Sequence, residues 1–175
     1  MSNIIIISST HRINSNSLKI SRLYEDFLKS KNVLVKVLDL CQLPSDFHNT
    51  DMFDKRSDKF ASIIKEYISN NSKFIFVVPE YNGSFPGIIK TFIDCLPQKS
   101  FENKKACLVG IANGRAGNII GLEHLTSVLQ YLKMNVYYNK LPISSLKTVL
   151  SPDGLFISDS QKAACESQLE GFLNF

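Results

Sequence analysis

A chain of 175 residues with 44% hydrophobic and 21% charged side chains buries about two thirds of its unfolded surface on folding. That fits one domain spanning residues 1–175, argues against a two-domain enzyme and excludes a disordered tail protein. Net charge is +4, from 20 basic and 16 acidic residues scattered along the chain, a balance that asks for no nucleic-acid partner; Lys99, Lys104 and Lys105 read as a solvated loop. The longest apolar run near the start, Ile4 to Ile7, is too short for a signal-peptide core or a membrane span, so the expected setting is the cytoplasm.

The β-branched run Asn3 to Ile7 predicts a central strand buried on both faces. Ile20, Leu23, Tyr24, Phe27 and Leu28 then recur at helical spacing behind several possible N-cap residues. Val33 to Leu40 predicts a second strand and Phe74 to Val78 a third, with Phe60, Ile63, Ile64, Tyr67 and Ile68 lining a helix between them. Pro44 to Asp58 reads as one long loop. Pro86 opens a further helix with Ile88, Ile89, Phe92, Ile93 and Leu96 on its inward face, and Pro97 closes it. Ala106 to Ala112 is a fourth apolar strand. A helix from about Gly121 to Lys133, a fifth strand near Asn135 to Asn139 and a last helix from about Asp159 to Leu173 complete the chain. Right-handed crossovers leave few topologies for this alternation, and five strands fit a three-layer flavodoxin-like fold, a parallel sheet in the order 2-1-3-4-5 with helices on both faces.

Cys41, Cys95, Cys107 and Cys165 are too far apart to form a C-x-x-C pair and read as reduced, mostly buried thiols. Of His11, His48 and His124, only His48 has a carboxylate at ligand spacing, Asp51, and no second His or Cys joins it. No metal site is expected.

In an open parallel sheet the ligand crevice lies beyond the carboxyl ends of the strands, where strand order reverses. Three loops meet there. The first, Ser8 to Ser17, carries seven hydroxyl or amide side chains and Arg12 between a buried strand and a helix N-terminus. Those groups suit a monophosphate, and they equally suit capping and turn formation. With no glycine before Gly83, the loop is neither a Walker A motif nor a G-x-G-x-x-G fingerprint. The second loop, Pro79-Glu80-Tyr81-Asn82-Gly83-Ser84-Phe85-Pro86-Gly87, is built to present backbone groups to a flat heterocycle, with Tyr81 shaping the pocket; the alternative is a proline-bracketed turn with Glu80 in solvent. The third, Ala112 to Asn118, brings Gly114 and Gly117 to the same edge. Arg115 by itself reads as a solvated arginine.

With these loops in place, the sequence resembles the NAD(P)H-dependent FMN reductases, the flavodoxin-like quinone, azo-dye and chromate reductases. Pro79 to Gly87, followed by Lys90 and Asp94, matches the signature P-E-Y-N-x-S-x-P-G-x-x-K-N-x-x-D, with Thr91 in place of the common Asn. The first loop resembles the phosphate loop S-G-T-x-R-x-x-S-N-T, with Ser9 where glycine is usual. The resemblance implies that Ser9, Thr10, Arg12, Ser15, Asn16 and Ser17 hold the FMN phosphate. Pro79, Glu80, Tyr81, Asn82 and Gly83, with Asn113 and Gly114, then hold the isoalloxazine. It further implies hydride transfer from NADPH or NADH to bound FMN and on to a small-molecule acceptor such as a quinone, azo compound or free flavin. No compulsory catalytic acid or base is implied, and Arg115 or His11 is the side chain placed to aid the pyridine nucleotide. A homodimer or homotetramer is implied too, its contact surface including the helix after Pro86 and the helix from Gly121. Two rivals stand beside this reading: an FMN-binding electron carrier with no NAD(P)H site, which the +4 charge disfavours because docking by steering wants a face of one sign, and a cofactorless interaction module.

Overall fold

The computed structural model describes residues 3–53 and 55–175; Met1, Ser2 and Asp54 lie outside the described residues. In chain order the elements are β1 (Ile4–Ser8), α1 (Asn16–Ser30), β2 (Val35–Asp39), α2 (Phe47–Thr50), α3 (Asp58–Ile63), β3 (Lys73–Pro79), α4 (Gly87–Cys95), β4 (Lys105–Ile111), α5 (Ile119–Tyr131), β5 (Asn135–Val136), β6 (Leu141–Ile143), α6 (Leu146–Val149) and α7 (Asp159–Asn174). The strands are parallel and ordered β2-β1-β3-β4-β5, with β6 also on β4. Ile6 lies opposite Val37 on one side and Ile75 on the other, which fixes the register of the three leading strands. This is the flavodoxin-like three-layer arrangement that the alternation of elements implies.

Each strand of the centre is apolar on both faces because helices cover both. On one face Ile4, Ile6, Ile75, Val77 and Cys107 pack against Ile20, Tyr24 and Leu28 of α1 and against Cys165, Leu169 and Phe172 of α7. On the other, Ile5, Ile7, Phe74, Phe76 and Leu108 meet Phe60 of α3, Ile89 and Phe92 of α4, and Leu122 and Leu125 of α5. Each such side chain contributes about 1.5–3 kcal/mol by leaving water. Tyr24 is fully buried and donates its hydroxyl proton to Gln168 Oε1 at 2.8 Å, and Gln168 in turn donates to the Leu108 and Asn139 carbonyls, so this polar pair inside the core is satisfied.

Three expectations need correction. The fifth strand does not run to Asn139. Its paired residues end at Val136, with Tyr137 N–H giving the last bond of the ladder to Ala106 O at 2.7 Å, while the buried Tyr137 ring packs beside Phe172 and Phe175. A sixth strand, β6, then takes the place beside β4, with Leu141 opposite Val109 and Ile143 opposite Ile111. The stretch from Pro44 to Asp58 is not a bare loop, since Phe47 anchors the single turn α2 by stacking on Phe60, with ring centroids 5.7 Å apart. The chain between Ser144 and α7 is not featureless either, for α6 and a bridge between Leu150 and Phe156 lie there.

His48 is exposed, and its spacing partner Asp51 serves another purpose. The buried Asp51 carboxylate accepts hydrogen bonds from Thr50 Oγ1 and from the Ser57 amide, closing the segment ahead of α3. Arg56, next to Ser57 in sequence, donates from Nε to the Cys95 carbonyl at 2.9 Å and ties the same segment to the end of α4. Burial pushes the Asp51 carboxyl up, but the hydrogen bonds from Thr50 and Ser57 and the Arg56 guanidinium outweigh it, leaving the group below the usual carboxylate value. A carboxyl depressed in the folded state stabilises the protein above its unfolded pKa, and that contribution disappears as pH falls through the folded value. Wild type is therefore expected to lose its Asp51 contribution below about pH 4. Asp51→Asn is expected to be less stable at neutral pH by about 1–2 kcal/mol and to show a shallower fall of the thermal midpoint from pH 7 to pH 3, measured by circular dichroism.

Among the described residues, no helix is long and apolar enough to cross a membrane.

Candidate active site

The loops after β1, β3 and β4 meet at the carboxyl edge of the sheet and enclose a cleft of about 140 Å³. Its walls are Thr10, Arg12, Ser15, Asn16 and Ser17 from the first loop, Pro79, Glu80 and Tyr81 from the second, and Asn113 from the third. Ile111, Ala112 and Leu146 complete it. Nine of the sequence-expected residues thus converge. Four are not in the lining: Ser9 is buried outside it, Asn82 and Gly83 form the tip of the turn that follows Tyr81, and Gly114 follows Asn113 in the third loop. The side chains of His11 and Arg115 are exposed and take no part in the lining.

The first loop is a cluster of free donors. Ser9 N–H continues the sheet to Val77 O, and Arg12 N–H donates to Thr10 Oγ1 at 3.3 Å. The N–H groups of Thr10, His11, Ile13, Asn14, Ser15, Asn16 and Ser17 have no acceptor among the described residues. Two of these, on Asn16 and Ser17, are the orphan amides of the first turn of α1, where the helix dipole also favours negative charge. Ser15 caps α1 by accepting from Leu18 N at 3.1 Å, which leaves its own proton to give. Ser17 lines the cleft, and its buried hydroxyl has no partner among the described residues. Ser9 answers differently from the sequence expectation, because its hydroxyl donates to Ile7 O at 3.2 Å and is spent on its own strand.

The second loop is a two-residue hairpin. Tyr81 and Ser84 exchange both backbone hydrogen bonds, at 2.9 and 3.1 Å, around Asn82 with φ 51° and Gly83 with φ 77°. This is the left-handed pair that an Asn-Gly turn favours. Glu80 N–H is engaged with Ile111 O, while the amides of Asn82 and Gly83 are, with those of Phe85 and Gly87, without an acceptor among the described residues. Tyr81 reaches across the cleft, its hydroxyl 2.9 Å from Thr10 Oγ1.

Asn118 holds the third loop in place, and sequence reasoning passed over it. It is buried in the left-handed region at φ 67°, and its Nδ2 donates to Val78 O at 3.0 Å, joining the end of β3 to the start of α5. The only signal was an amide residue at the end of a glycine-rich loop. Leu146 gave none, since no motif reaches it.

The family model for NADPH-dependent FMN reductase matches residues 2–146. An NAD(P)H-dependent FMN reductase of Pseudomonas aeruginosa is 25% identical over 140 residues, covering 78% of this chain and 75% of that protein. An FMN-dependent NADPH-azoreductase of Staphylococcus aureus is 27% identical over 129 residues, covering 72% of this chain and 66% of that one. The solved structure of FerB, a flavoenzyme NAD(P)H:(acceptor) oxidoreductase from Paracoccus denitrificans, superposes with a TM-score of 0.83 at 18% identity, covering 99% of this chain and 96% of that one. At that identity the likeness speaks for the fold. The match along residues 2–146 does more: the chain belongs to the NADPH-dependent FMN reductase family, oxidoreductases with FMN as cofactor and NAD(P)H as donor.

Proposed function

We propose that the cleft binds FMN with its phosphate among Thr10, Arg12, Ser15, Asn16 and Ser17 and its ring against Pro79, Glu80, Tyr81, Asn82, Gly83, Asn113 and Gly114. In this reading NADPH or NADH is oxidised there and a quinone, azo compound, free flavin or similar flat molecule is reduced. The observation that carries it is Ser17, which lines the cleft and whose buried hydroxyl has no partner among the described residues, beside seven N–H groups with no acceptor among them. A buried polar group without a partner costs about 1–3 kcal/mol, and an anionic phosphate would satisfy that hydroxyl and several of the amides together.

FMN bound there would supply the two-electron redox chemistry between the pyridine nucleotide and the acceptor. The chain's task is to orient and to stabilise charge. The amides of Asn82 and Gly83 and, in the loop after β4, those of Asn113 and Gly114, which have no acceptor among the described residues, offer fixed donors for negative charge on a bound ring system. Arg12, exposed on the phosphate loop, adds a full positive charge at the same edge. No side chain in the lining is arranged as a general acid or base, and Glu80 stands in solvent. Tyr81 is 36% exposed, so the mouth is open, and donor and acceptor take the same place in turn. Ile120 and Tyr131 of α5, both exposed, support a homodimer or homotetramer closing over α4 and α5. We place the protein in the cytoplasm.

An absorbance spectrum of the purified protein with FMN, then NADPH or NADH without oxygen, tests the reading. Bound-flavin bands that bleach promptly are expected. Flavin that binds and does not bleach would replace the reductase by an electron carrier, and flavin that fails to bind would remove the phosphate assignment.

A further inference from the structure

We propose that the Tyr81 hydroxyl positions Thr10 as a hydrogen-bond donor toward the bound phosphate, so that the ring-binding turn and the phosphate loop act as one unit. This rests on the assignment of the phosphate to the loop after β1. Thr10 is 1% exposed and Tyr81 is on the opposite wall of the same cleft, 71 residues away in sequence, yet their hydroxyl oxygens are 2.9 Å apart.

A threonine hydroxyl has one proton and two acceptor lone pairs. One lone pair of Thr10 Oγ1 already receives Arg12 N–H. Were Thr10 to donate to Tyr81, it would turn only a lone pair toward an anion. When Tyr81 donates instead, both lone pairs of Thr10 are occupied, and its one remaining capacity is its own O–H, free for an acceptor in the cleft. A phosphate presents acceptors and selects the second arrangement, in which the chain Tyr81 to Thr10 to phosphate runs in one direction and each bond polarises the next. Tyr81 is suited to the task because its backbone is fixed by the reciprocal pair with Ser84 around the Asn82–Gly83 turn.

A plain brace between loops would hold ring and phosphate alike, whereas a donor-orienting hydroxyl matters only to the phosphate. The test is therefore Tyr81→Phe titrated with FMN and with riboflavin, which has the ring and lacks the phosphate, by quenching of flavin fluorescence. The expected result is an FMN Kd raised about tenfold, an unchanged riboflavin Kd and unshifted visible bands of the bound flavin. Thr10→Val is expected to weaken FMN as well, with Tyr81→Phe adding nothing on that background. Equal losses for FMN and riboflavin, additive effects of the two substitutions, or a shifted flavin spectrum would each overturn the proposal. If riboflavin binds too weakly to titrate, the double-substitution comparison and the band positions decide. Wild type failing to bind FMN would instead overturn the assignment of the site itself.

Discussion

Gly110→Ala is expected to destabilise the protein by about 3 kcal/mol and to lower the thermal midpoint by about 6–12 °C. Gly110 lies inside β4, opposite Val78 of β3 on one side and Pro142 of β6 on the other. A Cβ there would come within 2.3 Å of the Gly117 carbonyl oxygen and 3.1 Å of Leu122 Cδ1. The leucine tip can rotate away. The carbonyl cannot, because Gly117 is held at φ 56° with the β6 backbone within 2.8 Å of where its own Cβ would stand. The strand or the third loop must move, and moving the loop carries Asn113 away from the cleft. Weaker FMN binding should therefore accompany the loss of stability. Gly87→Ala is the control: a Cβ on this first residue of α4 meets nothing within 4 Å, and alanine is the better helix former, so no loss is expected. Differential scanning calorimetry of both variants measures the contrast. An alanine at position 110 with wild-type stability would mean that the third loop is not pressed against β4.

Much of this architecture was legible in the sequence for reasons that Gly110 and its neighbours illustrate. Continuous β-branched and aromatic runs such as Ile4 to Ile7 and Phe74 to Val78 admit one reading, strands covered on both faces, and their order with the helices left little freedom of topology. The hairpin tip was legible because Asn-Gly is chemically suited to left-handed backbone. What escaped was decided by tertiary contact. Nothing local to Asn135–Asn139 says that the ladder ends with the Tyr137 N–H, or that the Tyr137 ring packs beside Phe172 and Phe175, residues that arrive late in the chain. The sixth strand, paired with β4 from Leu141 to Ile143, is too short to carry a pattern of its own. Within the site, residue types were readable and the use of each side chain was not. Ser9 and Ser17 look equivalent in a serine-rich loop, yet one spends its hydroxyl on Ile7 O and the other keeps it free in the cleft. Asp51 likewise drew notice only for its spacing from His48, which makes no metal site by itself, and its use, a carboxylate closing the segment before α3, is a matter of tertiary contact.

That difference between two serines gives the second large effect, Ser17→Ala, for which two opposite changes are expected in one variant. Among the described residues the buried Ser17 hydroxyl has no partner, a burden that alanine lifts, so the variant without cofactor should be as stable as wild type or more stable, by up to about 1 kcal/mol. Alanine also suits the second position of α1, where its helix propensity exceeds that of serine. Binding should move the other way. A hydroxyl that donates to an anionic phosphate makes a charge-assisted hydrogen bond, and its loss is expected to raise the FMN Kd roughly thirtyfold, about 2 kcal/mol. Ser9→Ala, by contrast, removes a hydroxyl already used by Ile7 O and should cost stability with little effect on FMN. Thermal unfolding with and without FMN separates the two serines, because the ligand-induced rise in midpoint reports affinity independently of apo stability. A Ser17→Ala protein that kept the full FMN-induced shift would place the phosphate away from the N-terminus of α1, and the cleft would then have to bind FMN through the loops after β3 and β4 alone.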